Sequence, residues 1–402
     1  MCNPVHVRAS PLTDPCRVLV RGVNWLGDAV MTLPALQRIR ERFPQAKITL
    51  LTPEHLGPLW RAQPLLDAVL EAPRGSTPWT VASNIRRLQS DAKAPFDLAL
   101  VLPNSPRSAL EMWLAGIPRR VGYAHRLRNW FLTERVPARL GRRPMHKRSA
   151  REVKELIRLN PPRIPEPPAL VAGTHQIHDY LHLAATLGAS PEPLSPRLEV
   201  LRGEVEAVES KLLSARLKLS GAMATKSKPV WLGLNPSAAY GPAKRWPVEN
   251  FAAVGREVSR RDPNRVWVVL GNAQDAELCE EITRQTGGQA INFSGKTSLR
   301  ELLAVLKLCR VLLTNDSGPM HAAAALDTPV VVPFGSTSPE LTGPGLPGEP
   351  RHHLLTSQAP CSPCFRRSCP IDLRCMTGIT PSAITAAVLE ALDAADQRQR
   401  PP

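Results

Sequence analysis

No run of this 402-residue sequence approaches the roughly eighteen apolar residues that a membrane-spanning helix needs. The first sixteen residues hold Pro4, Arg8, Pro11, Asp14 and Pro15 and contain no apolar stretch of signal-peptide length. Those two absences lead us to expect a cytoplasmic chain, and in that compartment disulfides are uncommon. Aromatic residues make up only 4% of the chain, with three tyrosines in all. Beside the most basic stretch stand just Tyr123, Trp130 and Phe131, a poor stacking platform for single-stranded nucleic acid. Asp-x-Asp pairs are missing as well, which closes one common way of holding a divalent cation with carboxylates.

What is present has globular character. Hydrophobic residues reach 43% and charged residues 21%, while 42 prolines point to many turns and loops. The length suits two domains of ordinary size, each able to bury a core. The formal charge of +16 is unevenly spread. Residues 119–158 hold 13 Lys and Arg against Glu134, Glu152 and Glu155, so a tenth of the chain carries ten of the 16 net charges. Such a field attracts nucleic acid, an anionic membrane or a phosphorylated substrate, and it also fits a merely solvated face.

From residue 16 onward, short apolar runs alternate with helical stretches, the signature of a parallel α/β sheet. Strands are predicted at 17–21, 47–52, 68–71 and 97–102, with helices at 28–42, 80–90 and 105–114. Five prolines within residues 160–168 rule out a helix interior there. Helices are predicted at 175–187, stopped by Gly188, and at 198–219, whose charge mix suits a solvated connection. A linker follows at 221–229. The alternation then restarts with strands at 230–234, 265–270, 290–293, 311–314 and 329–334. The expected organisation is an N-terminal domain over 17–190, a connecting helix and linker over 191–228, a second domain over 229–380 and a C-terminal helix over 381–396. Two α/β units of this kind are expected to put their deepest cleft between them, where ligands sit beyond the carboxyl ends of the strands.

Three segments carry the polar residues such a cleft needs. The first strand runs into Arg21-Gly22-Val23-Asn24-Trp25-Leu26-Gly27-Asp28, where a helix begins. Gly22 and Gly27 permit close backbone approach to a ligand, and a helix N-terminus favours an anion. Asp28 equally suits a helix start as a capping or dipole-facing carboxylate. In the second half, Gly241-Pro242-Ala243-Lys244-Arg245-Trp246-Pro247 follows a strand and precedes a helix opened by Pro247 and Glu249. A Lys-Arg pair beside free helix-end amides suits a diphosphate, and the spacing fits a solvent-facing basic turn as well. Then comes Thr314-Asn315-Asp316-Ser317-Gly318-Pro319-Met320-His321 at a strand's carboxyl end, with His321 sharing a helix face with Ser317.

These segments, continued by Ala-Ala-Ala-Leu, by Thr-Pro-Val-Val and by Gly335-Ser336-Thr337-Ser338-Pro339, carry a resemblance over residues 17–392. The chain resembles the ADP-heptose:lipopolysaccharide heptosyltransferase family, and its type II members best. The resemblance implies a GT-B architecture of α/β class, two Rossmann-like domains facing a central cleft, the first on the acceptor side and the second binding the nucleotide sugar. It implies inverting transfer of L-glycero-D-manno-heptose from ADP-heptose to the inner-core heptose of a growing lipopolysaccharide. On that reading Asp28 is the general base, Lys244 meets the donor diphosphate, and Arg245, Asn315, Asp316, Ser317, Gly318 and His321 line the donor site. Gly22, Asn24, Trp25 and Gly27 fall on the acceptor or phosphate side. The implied partners are the nucleotide-sugar donor and an anionic lipid-linked core oligosaccharide, with peripheral contact at the cytoplasmic face of the inner membrane and no nucleic acid. No cofactor is expected for catalysis, because Lys244 and helix-end amides can neutralise the leaving diphosphate without a metal. The chain departs from the family at one place. Where some relatives put a glutamate on the donor ribose, it reads Gly271-Asn272-Ala273-Gln274-Asp275.

The cysteines and the basic stretch leave alternatives open. Cys361, Cys364, Cys369 and Cys375 set four thiols within fifteen residues, beside Arg366, Arg367 and Arg374. They suit a structural metal as well as free thiols. The remaining cysteines, Cys2, Cys16, Cys279 and Cys309, look ordinary. Two competing functions are a GT-B transferase with another nucleotide sugar or acceptor, and a basic nucleic-acid-binding protein.

Overall fold

The computed structural model describes residues 16–160, 173–220 and 228–399. The prolines of the first fifteen residues, the proline run at 161–168 and the linker residues 221–227 lie outside them. The chain forms two compact units. Of the described residues, the first comprises 16–24, Ala35–Arg139 and Tyr180–Glu192, and the second Trp25–Pro34, those within Leu140–Asp179 and those from Pro193 on.

The first unit is built on strands β1 (Arg17–Arg21), β2 (Lys47–Pro53), β3 (Ala68–Ala72), β4 (Leu98–Val101), β5 (Arg119–Tyr123) and β6 (Glu134–Val136). They lie in the order β3-β2-β1-β4-β5-β6, with every pairing parallel. The central strands read Arg-Val-Leu-Val-Arg and Leu-Ala-Leu-Val because a parallel sheet is covered on both faces and wants apolar residues throughout. Leu19, Phe96, Val101, Met112 and Ile117 form its core.

The second unit repeats the plan with β7 (Val230–Asn235), β8 (Arg265–Val269), β9 (Ala290–Asn292), β10 (Leu312–Thr314), β11 (Val330–Phe334) and β12 (His353–Thr356). The order is β12-β11-β10-β7-β8-β9, again all parallel, which is the first sheet's winding counted from its own first strand. In both sheets the winding reverses between the first and fourth strands, and there the outgoing loops part and leave room for a ligand. Trp246, Phe251 and Trp267 are buried in this unit's core. The Trp267 indole donates to Gly255 O at 3.1 Å and that of Trp246 to Ile379 O at 3.0 Å, so neither ring buries an unpaired N–H. The helix Arg202–Ser220 packs on the helix Leu299–Leu308, where Arg300 Nε donates to Glu204 Oε1 at 2.8 Å.

Two departures from the periodicity have physical causes. The predicted helix at 28–42 is two helices, Leu26–Met31 and Leu33–Arg42. Pro34 has no amide to offer Val30 O, and the Thr32 hydroxyl closes the first helix by donating to Ala29 O at 2.7 Å. Strands β5, β6 and β12 were not foreseen. β5 opens with two arginines, one of which pairs with Glu134 on β6, so side-chain bonds compensate for charge that reads as loop.

Trp267→Ala removes a fully buried ring and its hydrogen bond, and is expected to destabilise the protein by roughly 3–5 kcal/mol. Urea midpoints measure it, and a loss below about 1 kcal/mol would mean that the core closes over the space.

Candidate functional site

At the reversal in the second unit, β7 and β10 end side by side in Asn235 and Thr314. Asn235 Nδ2 donates to Thr314 Oγ1 at 3.0 Å and to Ser317 Oγ at 3.1 Å. Asn315 Nδ2 donates to Pro236 O at 2.7 Å, while its Oδ1 accepts from the Trp246 amide at 3.0 Å. Two buried asparagines thus tie three loops to one another. The turn then enters the helix Gly318–Ala325, and Ser317 at its start makes no capping bond. Pro319 has no N–H and the Met320 amide donates to Ser317 O at 3.1 Å, which leaves the Gly318 amide for an anion at the helix start.

The two cations of the Lys-Arg pair go separate ways. Lys244 Nζ lies 2.5 Å from Asp316 Oδ2, and the Thr337 hydroxyl donates to the same oxygen at 2.5 Å. The ammonium also sits 4.8 Å from the centroid of the Tyr240 ring, within cation–π range. Arg245 turns to Asp275 instead, with Nη2 2.9 Å from Oδ1, and Asp275 closes the turn that follows β8. The loop is held by Gly241, whose φ of 155° and approach to Arg367 O, 2.5 Å from where a Cβ would stand, admit no side chain.

Asp28 reaches the same unit from near the start of the sequence. Gly27 backs onto His321 so closely that a Cβ would stand 2.7 Å from its Cδ2, and a Cβ at Gly318 would stand 2.9 Å from that of Leu26. The helices Leu26–Met31 and Gly318–Ala325 therefore touch through their glycines. Asp28 lies in the first turn of its helix but makes no capping bond. Its Oδ1 accepts from Gln176 Nε2 at 3.3 Å. Burial raises the Asp28 pKa above the ordinary 3.8, against the Gln176 hydrogen bond and the Lys244 charge and with the help of the Asp316 charge. Burial also lowers the His321 pKa to about 4, with Asp316 opposing, so the imidazole is neutral at pH 7.

Of the residues singled out from sequence, the second unit brings together Gly27, Asp28, Lys244, Asn315, Asp316, Ser317, Gly318 and His321, with Arg245 turned toward Asp275. Trp25 belongs to this unit and is 56% exposed. Gly22 and Asn24 belong to the first unit, at the end of β1, where the Gly22 amide donates to Leu51 O at 2.8 Å. Four residues went unnoticed as site residues. The Ser237 and Ser336 hydroxyls are buried with no hydrogen-bond partner among the described residues. Thr337 holds Asp316, and Gln176 holds Asp28. Ser237, Ser336 and Thr337 follow β7 and β11, so their place at strand ends was a usable signal, whereas nothing local marked Gln176.

None of Cys361, Cys364, Cys369 and Cys375 is in a disulfide. Among the described residues no group of three or more His, Cys, Asp or Glu side chains is arranged to hold a metal ion. Cys361, Cys364 and Cys375 pack instead in the core that holds Trp246 and Met376. Burial, reinforced by the other three thiols, pushes Cys375 up to about 12. Cys361, Cys364 and Cys375 thus serve as small apolar groups of the core, with Cys369 half-buried at its edge.

His175, whose Nε2 lies 3.0 Å from Gly343 O, is held neutral like His321, with burial lowering its pKa to about 4. The unfolded chain binds protons at both histidines near the ordinary 6.5 and the folded chain only near 4, so stability is full above 6.5 and is lost as pH falls toward 4. Melting temperatures between pH 7.5 and roughly 5 check this, since ordinary carboxylates titrate lower. A flat profile over that window would count against buried neutral histidines, and His175→Gln should reduce the slope.

The sequence profile of glycosyltransferase family 9 (heptosyltransferase) matches residues 85–374. Lipopolysaccharide heptosyltransferase 2 of Escherichia coli (strain K12) is 30% identical over 339 residues, which are 82% of this chain and 85% of that protein. The protein of the same name from Salmonella typhimurium is 29% identical with the same coverage. The solved structure of E. coli ADP-heptose lps heptosyltransferase II superposes with a TM-score of 0.69 at 25% identity, covering 94% of this chain and 99% of that one. The fold is GT-B, as the sequence resemblance implied. With the profile spanning most of its length and a relative at this identity spanning four fifths of it, the chain belongs to glycosyltransferase family 9, the heptosyltransferases.

Proposed function

We propose that this enzyme is a type II heptosyltransferase, moving L-glycero-D-manno-heptose from ADP-heptose to the inner-core heptose of lipopolysaccharide with inversion. The observation that carries the reading is the buried Asp28 carboxylate, its pKa raised, in the field of Lys244 and beside the open end of the helix Gly318–Ala325. A raised pKa makes a carboxylate a better proton acceptor.

In this mechanism the acceptor hydroxyl oxygen attacks the anomeric carbon and the bond from that carbon to the ADP phosphate oxygen breaks. Its electron pair leaves with ADP, and the hydroxyl proton passes to Asp28. Lys244, positioned by Asp316 and Tyr240, and the Gly318 amide at the helix start take up the charge that grows on the diphosphate. Asn315, Ser317 and His321 line the donor, with Arg245 at its edge, and the unpartnered Ser237 and Ser336 hydroxyls are free to donate to it. Gly22, Asn24, Trp25 and Gly27 serve the acceptor or phosphate side. On this reading residues 17–190 serve the acceptor, 229–380 the nucleotide sugar, 191–228 the connection and 381–396 the closing helix, with Trp25–Pro34 and the described residues of Leu140–Asp179 packing in the second unit.

The acceptor is an anionic lipid-linked core oligosaccharide, and the enzyme works peripherally at the cytoplasmic face of the inner membrane. No helix among the described residues is long and apolar enough to cross a membrane. Against a nucleic-acid-binding role, much of the basic stretch is committed internally. Arg119 pairs with Glu134, Arg128 is buried on main-chain carbonyls, and Arg142 pairs with Asp179 at 2.9 Å.

Transfer assayed on a deep-rough acceptor lacking the second heptose should occur with ADP-heptose and not with UDP- or GDP-sugars; the reverse preference would overturn the donor assignment. Asp28→Asn should keep donor affinity and lower turnover by roughly a hundredfold or more. Lys244→Ala should cost about 2–4 kcal/mol of transition-state stabilisation, and full rescue by magnesium would refute the metal-free mechanism. Gln176→Ala removes a bond that lowers the Asp28 pKa, so the acidic limb of kcat/KM should move to higher pH. An unmoved limb would leave Gln176 a packing residue.

A further inference from the structure

The loop between β5 and β6 distributes its side chains against the usual rule. Arg128 is 0% exposed, while its neighbours Leu127 and Trp130 are 68% and 83% exposed. Main-chain and side-chain bonds fix this inversion. Arg128 Nη1 donates to Pro103 O at 2.7 Å and to Asn104 Oδ1 at 3.2 Å. The Arg128 amide donates to His125 O at 3.0 Å and the Phe131 amide to Arg128 O at 3.0 Å, closing the turn around it. Arg135 Nε donates to Asn129 O at 3.1 Å from β6. With the arginine anchored inward, the turn has to present Leu127 and Trp130 outward.

The apolar area continues onto the helix Pro106–Leu114, where Trp113, 49% exposed, packs against Phe131 with ring centroids 5.8 Å apart and planes tilted by 55°. Its rim is cationic. Residues 119–139 contain six arginines and one acid, Glu134, which Arg119 neutralises. Arg126 and Arg135 are exposed beside the apolar tips. Held in water, such a cluster is a cost; at a bilayer surface, Trp suits the headgroup depth, Leu the acyl boundary, and arginines the lipid phosphates. Single-stranded nucleic acid is a poorer match, because Leu127 offers no stacking face and Trp113 is occupied by Phe131.

We infer that the loop 125–131 docks the enzyme on an anionic bilayer, with Leu127 and Trp130 entering the interface and Arg126 and Arg135 on lipid phosphates. Its biological use rests on the proposed lipid-linked acceptor; the binding itself does not.

Co-sedimentation of the whole protein with phosphatidylcholine vesicles, with and without phosphatidylglycerol, tests it. The wild type should pellet with the anionic vesicles. The double variant Leu127→Ser, Trp130→Ser should lose about tenfold or more in partitioning, and Arg126→Ala roughly fivefold. Both substitutions replace side chains already in water, so circular dichroism and thermal midpoints should match the wild type. Equal partitioning of the double variant and wild type, wild type left in the supernatant with anionic vesicles, or wild type retained on single-stranded RNA while ignoring vesicles would each overturn the inference. Transfer to a water-soluble acceptor fragment is assayed in parallel. Vesicle binding without any transfer would defeat the acceptor reading alone, and transfer without vesicle binding would defeat the docking surface alone.

Discussion

A hydrogen atom in place of a side chain at Gly27 and at Gly318 lets two short helices from opposite ends of the chain lie in contact. Any larger residue at either position would meet His321 or Leu26 at less than van der Waals distance, and the helices would part. That contact fixes where Asp28 stands with respect to Lys244 and Asp316. It also dries the surroundings, and one cause then acts with opposite sign on two groups. Losing water disfavours the charged form, so the aspartate pKa rises and the histidine pKa falls. The close approach therefore sets both the geometry and the protonation of the site.

The charge at the site is balanced in a way that suits an incoming anion. Lys244 is already paired with Asp316, and His321 adds no charge at neutral pH. The site also holds the Gly318 amide at an uncapped helix start, and the buried Ser237 and Ser336 hydroxyls at strand ends lack partners among the described residues. Fixed dipoles of this kind need no rearrangement as charge develops. The pair with Asp316 gives the lysine a single position, which the cation–π contact with Tyr240 reinforces.

Much of this was legible in the sequence because parallel sheets write themselves as uninterrupted apolar strands. β1, β2, β3 and the strands β7 to β11 fall where the runs of Val, Leu and Ile place them. Strands β5, β6 and β12 escaped because they are short or charged, and arginines in β5 spend their charge on bonds that no local pattern reveals. The segments around Lys244 and Asp316 were legible as polar residues at strand ends. Gln176 was not, since its partner Asp28 is remote in sequence and only the fold brings them together. The cysteine spacing left chelation and free thiols equally open, and what it could not show is that three of the four thiols pack in the core.

The chain leaves the first unit at Asn24, lends ten residues to the second, and returns at Ala35. Those ten residues include Asp28, and their packing partner begins at Gly318. During synthesis at about 5–20 residues per second, the segment must wait roughly 15–60 s before that partner leaves the ribosome. Two apolar side chains of the waiting helix, Val30 and Met31, have no partner helix in that interval, and both are buried in the finished protein. The order in which the ribosome delivers the chain thus leaves Asp28 among the last parts of the enzyme to reach its place, although it is among the first to be made.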